Sequence, residues 1–166
     1  MDGLAEPLVP ISAVDPATFE TWVQPHLSAM RRLAFRLAPL DHEDIVQESL
    51  MRAWKSFATF DDARGTPRSW LLTIVTNRSR STFARRRPRT CPLPDDLVTE
   101  DARADADLER AIARLALRQR TAVTLHYLLG LPVTEVAEVM GCSVGTVKST
   151  LSDARARLRR SLEDTP

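Results

Sequence analysis

This 166-residue sequence predicts an all-α fold: two small helical domains joined by a flexible linker. Three observations carry that expectation. Apolar residues recur at three- and four-residue steps, and no strand-like alternation stands out. Glycine is scarce, at 5 residues, and aromatics are 5% against 43% hydrophobic residues, which suits bundles built on Leu, Val and Ala. Between the two helical halves, Pro88, Pro92 and Pro94 are followed by a run of acids that offers no core of its own. The expected organisation is a loose tail over 1–18, a first domain over 19–88, a linker over 89–106 and a second domain over 107–163.

Each element has a local reason. Pro7, Pro10 and Pro16 and the lack of a helical period mark the tail. A first helix is expected from Phe19 to Leu37, bent near Pro25, with Pro39 and Asp41 breaking it. A second runs from Asp41 or His42 to about Phe57. The stretch from Ala58 to Thr66 is a loop containing Asp61, Asp62 and Gly65. Thr66 is placed to cap a third helix with Pro67 in its first turn, and Pro88 stops that helix near Arg87. In the second domain, Leu108, Ile112 and Leu115 share one side of a helix over 107–117. A helix from Arg118 to Leu129 ends at Gly130 and Pro132. Short helices over 133–140 and from Val144 to about Leu162 follow.

The net charge of +1 is a cancellation. Arg78, Arg80, Arg85, Arg86, Arg87 and Arg89 form a basic block, and the residues from Asp95 to Glu109 an acidic one. Lys148, Arg155, Arg157, Arg159 and Arg160 make the C-terminal stretch basic again. Cys91 and Cys142 are far apart, with no companions at metal spacing, and read as ordinary reduced thiols. No apolar run approaches membrane-spanning length and no secretion signal is visible, so a soluble, cytoplasmic protein is expected. His26, His42 and His126 are isolated, and no Gly-rich phosphate loop exists. No catalytic residue, metal site, cofactor or small-molecule substrate is expected.

The clearest motif lies in the second half. Val136, Ala137 and Met140 form a stripe on a short helix. Gly141 stands where a left-handed C′ residue is wanted, and Ser143 can cap the helix that follows. Val147, Leu151, Ala154 and Leu158 share one face of that helix. The opposite face presents Gly145, Ser149, Ser152 and Ala156, flanked by Lys148 and Asp153. Small and polar side chains there permit close approach to a major groove. An amphipathic helical pair with a solvated basic face would give the same spacing.

In the first half, Ile45, Val46, Leu50, Ala53, Trp54 and Phe57 fall on the inner side of the second helix. Asp44, Gln47, Glu48, Met51 and Lys55 line another side. Acids at the centre of that stripe do not suit a phosphate-binding face. They suit a protein-docking face or simple solvation.

Cys142-Ser143-Val144-Gly145-Thr146-Val147-Lys148-Ser149 is similar to the recognition-helix start shared by sigma region 4 and LuxR-type regulators. Glu43-Asp44-Ile45-Val46-Gln47-Glu48 followed by Arg52-Ala53-Trp54 resembles region 2 of the extracytoplasmic-function (ECF) sigma factors. Phe60-Asp61, Ser69-Trp70-Leu71-Leu72, Ile74 and Asn77 continue that resemblance, and 115–120 and 128–131 extend it through the second domain. It implies a factor that directs core RNA polymerase to promoters. Asp44, Gln47, Glu48, Met51 and Lys55 would dock on the β′ clamp helices, and the β flap is a further part of the polymerase that the resemblance implies as partner. Phe60, Asp61, Arg64, Asn77, Arg78, Arg80, Ser81 and Arg85 would meet the −10 element, with the loop 60–65 capturing a flipped base. Trp70 is read as core, with base stacking as the alternative. Ser143, Gly145, Thr146, Lys148, Ser149, Ser152 and Arg155 would meet the −35 element. Family members are commonly held by an anti-sigma factor, a further partner class the resemblance implies.

The sequence also departs from the family pattern. Thr150 stands where Arg is usual, and Pro132 replaces the Ser or Thr that would cap the helix over 133–140, so a capping box with Glu135 is lost. Ser81 sits where a larger polar residue is frequent, and the segment from Leu37 to His42 looks shortened. The competing reading is a LuxR-type helix-turn-helix regulator that binds duplex DNA without replacing a sigma factor.

Overall fold

A computed structural model describes residues 15–85 and 100–163, and every regular element among them is helical. Asp15 opens the first helix among the described residues, α1 (Pro16–Val23), its carboxylate accepting from the Ala17 amide, with Pro16 in the first turn. Pro25 lacks the amide that a continuous helix would need there. The backbone tightens into a 3-10 turn over Gln24–His26 and restarts as α2 (Leu27–Leu37). The expected bend is therefore a full break in the helix.

Helix α2 buries Ala29, Met30, Leu33, Ala34 and Leu37 along one stripe. Helix α3 (His42–Ser56) buries Ile45, Val46, Ser49 and Ala53 against it, with Leu50, Trp54 and Phe57 partly buried at the edge. Helix α4 (Pro67–Arg85) completes the bundle with Leu71, Leu72 and Val75. The Ser69 amide donates to the Thr66 hydroxyl, so Thr66 caps α4 as its position predicts. Met30 and Leu33 have no exposed surface, and truncating either to Ala would cost about 2–5 kcal/mol. Arg86 to Thr99 lie outside the described residues, as do the expected end of α4 near Arg87, most of the expected linker, Cys91 and positions 1–14 of the tail expected over 1–18, whose residues from Pro16 to Thr18 are instead the start of α1.

The next helix, α5 (Glu100–Ala113), starts well before the Asp107 expected from its apolar pattern. The sequence there is rich in alanine, a strong helix former. Among its described side chains Ala111 and Ile112 are buried, with Leu115 just beyond its end. Leu108, expected on that face, is 38% exposed, because the stripe runs through position 111 instead. Helix α6 (Leu117–Val123) continues into one π-helical turn over Thr124–Leu128, closed by the Leu129 amide bonding to the Thr124 carbonyl.

Helices α7 (Val133–Met140) and α8 (Val144–Glu163) form the helix-turn-helix at its expected boundaries. Gly141 adopts φ 62°, ψ 43°. A side chain there would be strained in that left-handed conformation, which ends α7 and releases the chain into the turn. The Thr146 amide donates to the Ser143 hydroxyl at 3.1 Å, capping α8. Pro132 makes no side-chain cap, so α7 starts without the reciprocal box with Glu135.

The two halves share one apolar core. α4 packs against α7 and α2 against α6. Polar contacts cross the same boundary. Arg36 pairs with Glu109 at 2.5 Å, Arg120 donates to the Arg36 carbonyl, and Arg68 donates to the Leu129 carbonyl. Burial holds the Arg120 guanidinium below the usual arginine value.

Candidate protein and nucleic-acid interfaces

Helix α3 separates its two faces cleanly. Ile45, Val46 and Ala53 point into the bundle, while Asp44, Gln47, Met51 and Lys55 are exposed. Met51 is the telling member: 59% of it meets solvent in the middle of a charged stripe. A solvated face does not need an apolar side chain there. Glu48 is only partly exposed, because it forms an ion pair with the Arg78 guanidinium of α4.

That pair corrects one expectation. Arg78 was grouped with the phosphate-holding residues, yet 16% of its side chain is exposed and its charge is already met by Glu48. Its position, three after the buried Val75 and beside the buried Ser79, turns it toward α3. Asn77, Arg80, Ser81 and Arg85 are exposed and form the outward face of α4. The Ser81 hydroxyl donates to the Asn77 carbonyl at 3.1 Å, which fixes its rotamer.

The loop between α3 and α4 is ordered by its own polar groups. One 3-10 turn covers Phe57–Thr59 and another Asp62–Arg64. The Ala63 amide donates to the Asp61 carboxylate at 2.9 Å, and the Arg64 amide to the Asp61 carbonyl. Arg64 lies 3.8 Å from the same carboxylate, with 88% of its side chain exposed. At that exposure the pair contributes little, and the guanidinium stays available. Gly65 closes the loop at φ 149°, ψ 171°, and a Cβ there would meet the Ser69 hydroxyl.

Phe60 does not stand free at the loop's start. Its ring lies 5.1 Å from Trp22 and 5.2 Å from Trp70. Trp70 is partly buried and packs against the core, as its neighbours Leu71 and Ile74 suggest, and it is no free stacking platform. Trp22, Arg68, Arg36, Glu109 and Arg120 entered no sequence-level site. Their partners lie in segments that no local spacing brings together. His26 sits beside this cluster, 6.3 Å from Trp22, and burial followed by the charge of Arg68 lowers its pKa.

In α8, Lys148, Ser149, Ser152 and Arg155 are all exposed at positions that share one face. Ser143 and Gly145 are exposed at its N-terminal end, and Thr146 is partly so. Thr150 is a different case. It is 9% exposed and its hydroxyl donates to the Thr146 carbonyl at 2.7 Å. The threonine that replaces the family's usual arginine is therefore a packing residue, and the exposed face of α8 does not include it. Among the described residues no cluster of His, Cys, Asp or Glu could hold a metal ion, and no helix is long and apolar enough to cross a membrane.

Two family descriptions match the chain: Sigma-70 region 2 over residues 22–89 and Sigma-70, region 4 over residues 105–158. The ECF RNA polymerase sigma factor SigM of Mycobacterium tuberculosis is 33% identical, over 95% of this chain and 84% of that protein. The ECF RNA polymerase sigma factor SigE of Mycolicibacterium smegmatis is 32% identical over 87% of this chain, which spans only 63% of that protein's length. Among solved structures, the sigma factor RpoE from Bartonella quintana, determined with the anti-sigma factor NepR, superposes with a TM-score of 0.74 at 27% identity. That match covers 90% of this chain and 99% of RpoE.

Proposed function

The chain belongs to the ECF sigma factors of bacterial RNA polymerase, and from that premise we propose which of its surfaces performs each step of promoter recognition. It binds core polymerase, works in the cytoplasm where that enzyme acts, and catalyses no reaction itself. The competing LuxR-type reading would leave the first-half match without a role.

The observation that carries the assignment is the exposed stripe Asp44, Gln47, Met51 and Lys55 on a rigid helix, with Glu48 at its edge. Asp44 and Gln47 lie on one side of an exposed methionine and Lys55 on the other, a mixed polar and apolar surface that suits a protein partner better than a phosphate backbone. These residues dock on the β′ clamp helices. The tip of the loop over 61–65, with Phe60 behind it, captures a base unstacked from the −10 element. Asn77, Arg80, Ser81 and Arg85 hold the strand beside it. Lys148, Ser149 and Ser152 read base edges of the −35 element in the major groove. Ser143, Gly145 and Thr146 let the α8 N-terminus approach, and Arg155 contacts phosphate. The second half meets the β flap, and an anti-sigma factor is a further partner, as NepR is for RpoE.

The packed arrangement of the two halves sets a physical condition on this work. The −10 and −35 elements are about 25 base pairs apart, about 85 Å of B-form DNA. A folded chain of this length has a radius of gyration of about 15 Å. One compact body cannot reach both, so the α4–α7 and α2–α6 contacts must open on the polymerase. Binding two sites through one opened chain then gains from effective concentration rather than from a large surface in either half. Fluorophores placed one on each half should report a larger separation when core polymerase is added; an unchanged distance would refute the opening.

The assignment itself is tested by gel filtration of the full chain with core polymerase. Co-elution as one complex is expected. Separate elution, with direct binding to duplex DNA instead, would favour the regulator reading.

A further inference from the structure

Trp22 belongs to none of the surfaces above, yet the rings on both sides of the promoter loop rest on it. Its indole lies 4.8 Å from Phe57 and 5.1 Å from Phe60, where the chain leaves α3. It lies 5.9 Å from Trp70, in the first turn of α4, where the chain returns. On its other side it stacks on Phe19 at 6.1 Å, and Phe19 in turn meets Trp54 and Phe57, each at 5.2 Å. Trp22 comes from α1, a separate segment, so it bridges both ends of a loop to which it is not connected.

The hydrogen bonds inside the loop cannot supply this orientation. The Ala63 amide donates to the Asp61 carboxylate and the Arg64 amide to the Asp61 carbonyl, so these bonds fix the shape of the turn and move with it. Thr66 and Ser69 tie the return of the chain to α4, and the Phe60 amide donates to the Phe57 carbonyl, which holds its backbone to the end of α3 and leaves its ring to the aromatic contacts. What relates the turn to the helices is the ring contact at Phe57, Phe60 and Trp70. Capturing an unstacked base needs that relation held within a fraction of an ångström. A loop ordered only at the moment of capture would also lose conformational entropy for each residue fixed.

We propose that Trp22 is a positioning residue for −10 recognition: it clamps both ends of the loop over 57–66, so that Asp61 to Gly65 meet the flipped base in one conformation. This rests on the reading of that loop given above. It makes Trp22 a determinant of base choice without any contact to DNA.

The test uses the full chain with core polymerase on promoters varied one base at a time through the −10 and −35 elements. Asp61→Ala, in the loop itself, identifies the −10 position the loop reads. Trp22→Ala should reduce discrimination at that same position about tenfold, the size of a typical single-base preference. Co-elution with polymerase and −35 preferences should stay as in the wild type, and Trp22→Phe, which keeps a flat ring, should restore most of the discrimination. If Trp22→Ala does not fold by circular dichroism, Trp22→Leu keeps apolar bulk without the flat ring and should show the same loss. Unchanged discrimination in the folded variant, or a uniform drop across all promoters, would overturn the proposal. If Asp61→Ala leaves every −10 preference intact, it is the reading of the loop that fails. The role of Trp22 alone fails when Asp61→Ala relaxes discrimination and the Trp22 variant does not.

Discussion

The proposed recognition helix, α8, and the proposed promoter loop between α3 and α4 present their side chains by opposite means. In α8, Lys148, Ser149, Ser152 and Arg155 share a face because a regular helix repeats every 3.6 residues, and Ser143 and Gly141 fix where that helix begins. Nothing distant is needed to aim them. The loop over 57–66 has no such repeat. It is aimed by Trp22 and Phe19, which arrive from another segment, and by Trp70 in the next helix. One surface is built locally and the other is assembled by tertiary packing. A substitution on the first should change function alone, whereas one on the second should change function and stability together.

The largest effect is expected at a third surface, the stripe on α3, which is local like α8. Asp44→Lys combined with Gln47→Lys reverses the docking charge without touching a buried group or the Glu48–Arg78 pair. Affinity for core polymerase should fall about a hundredfold or more, since charge reversal in a complementary interface costs several kcal/mol. The circular dichroism spectrum and melting temperature should stay within error of the wild type. Polymerase affinity that survives the double change would remove the docking assignment.

The next comparison sets the two promoter surfaces side by side. Phe60→Ala should weaken −10 discrimination and also lower unfolding stability by about 1–3 kcal/mol, because the ring is partly buried between Trp22 and Trp70. Ser149→Ala should relax −35 base choice by about 1 kcal/mol and leave stability unchanged, since its hydroxyl lies on an exposed helical face. Denaturant melts and promoter competition on the same pair of proteins check both. Equal stability losses would erase the distinction between local and assembled surfaces.

Within α8 the account also separates reading from holding. Arg155→Ala should weaken binding to all −35 sequences alike and reduce the salt dependence of binding by about one counterion. A selective loss on one sequence would instead make Arg155 a base reader.

The smallest effect concerns His26, beside the aromatic cluster. Burial, then the charge of Arg68, holds its pKa below the ordinary imidazole value. The unfolded chain therefore takes up this proton at a higher pH than the folded chain does. The stabilisation from neutral His26 is full above the ordinary imidazole value and is lost as pH falls through the folded one. Melting temperatures between pH 7 and pH 5 should fall slightly more for the wild type than for His26→Gln. Parallel curves would show that the cluster does not sense this charge.

The same division explains what the sequence made legible. Thr66, Pro67, Gly141 and Ser143 act within a turn of the chain, so α4, α7 and α8 begin or end where their residue types require. The start of α5 was missed because Glu100 to Ala106 carries no apolar stripe. What favours a helix there is alanine content. The inward turn of Arg78 and the burial of Thr150 depend on which side of a helix meets its neighbour, and spacing alone leaves that choice open. The contacts among Arg36, Glu109, Arg120, Arg68 and the Leu129 carbonyl join positions 61 or more residues apart, except for the local bond from Arg120 to Leu115. No local pattern announces them.

The central claim is that one chain supplies polymerase docking and both promoter contacts. It is tested most directly by transcription in vitro with purified core polymerase and this protein on a library of randomised promoters. The account predicts transcripts from templates that share two sequence motifs at a fixed spacing, with initiation just downstream of the second. Transcription no greater than with core polymerase alone, or enrichment of a single motif without fixed spacing, would contradict it.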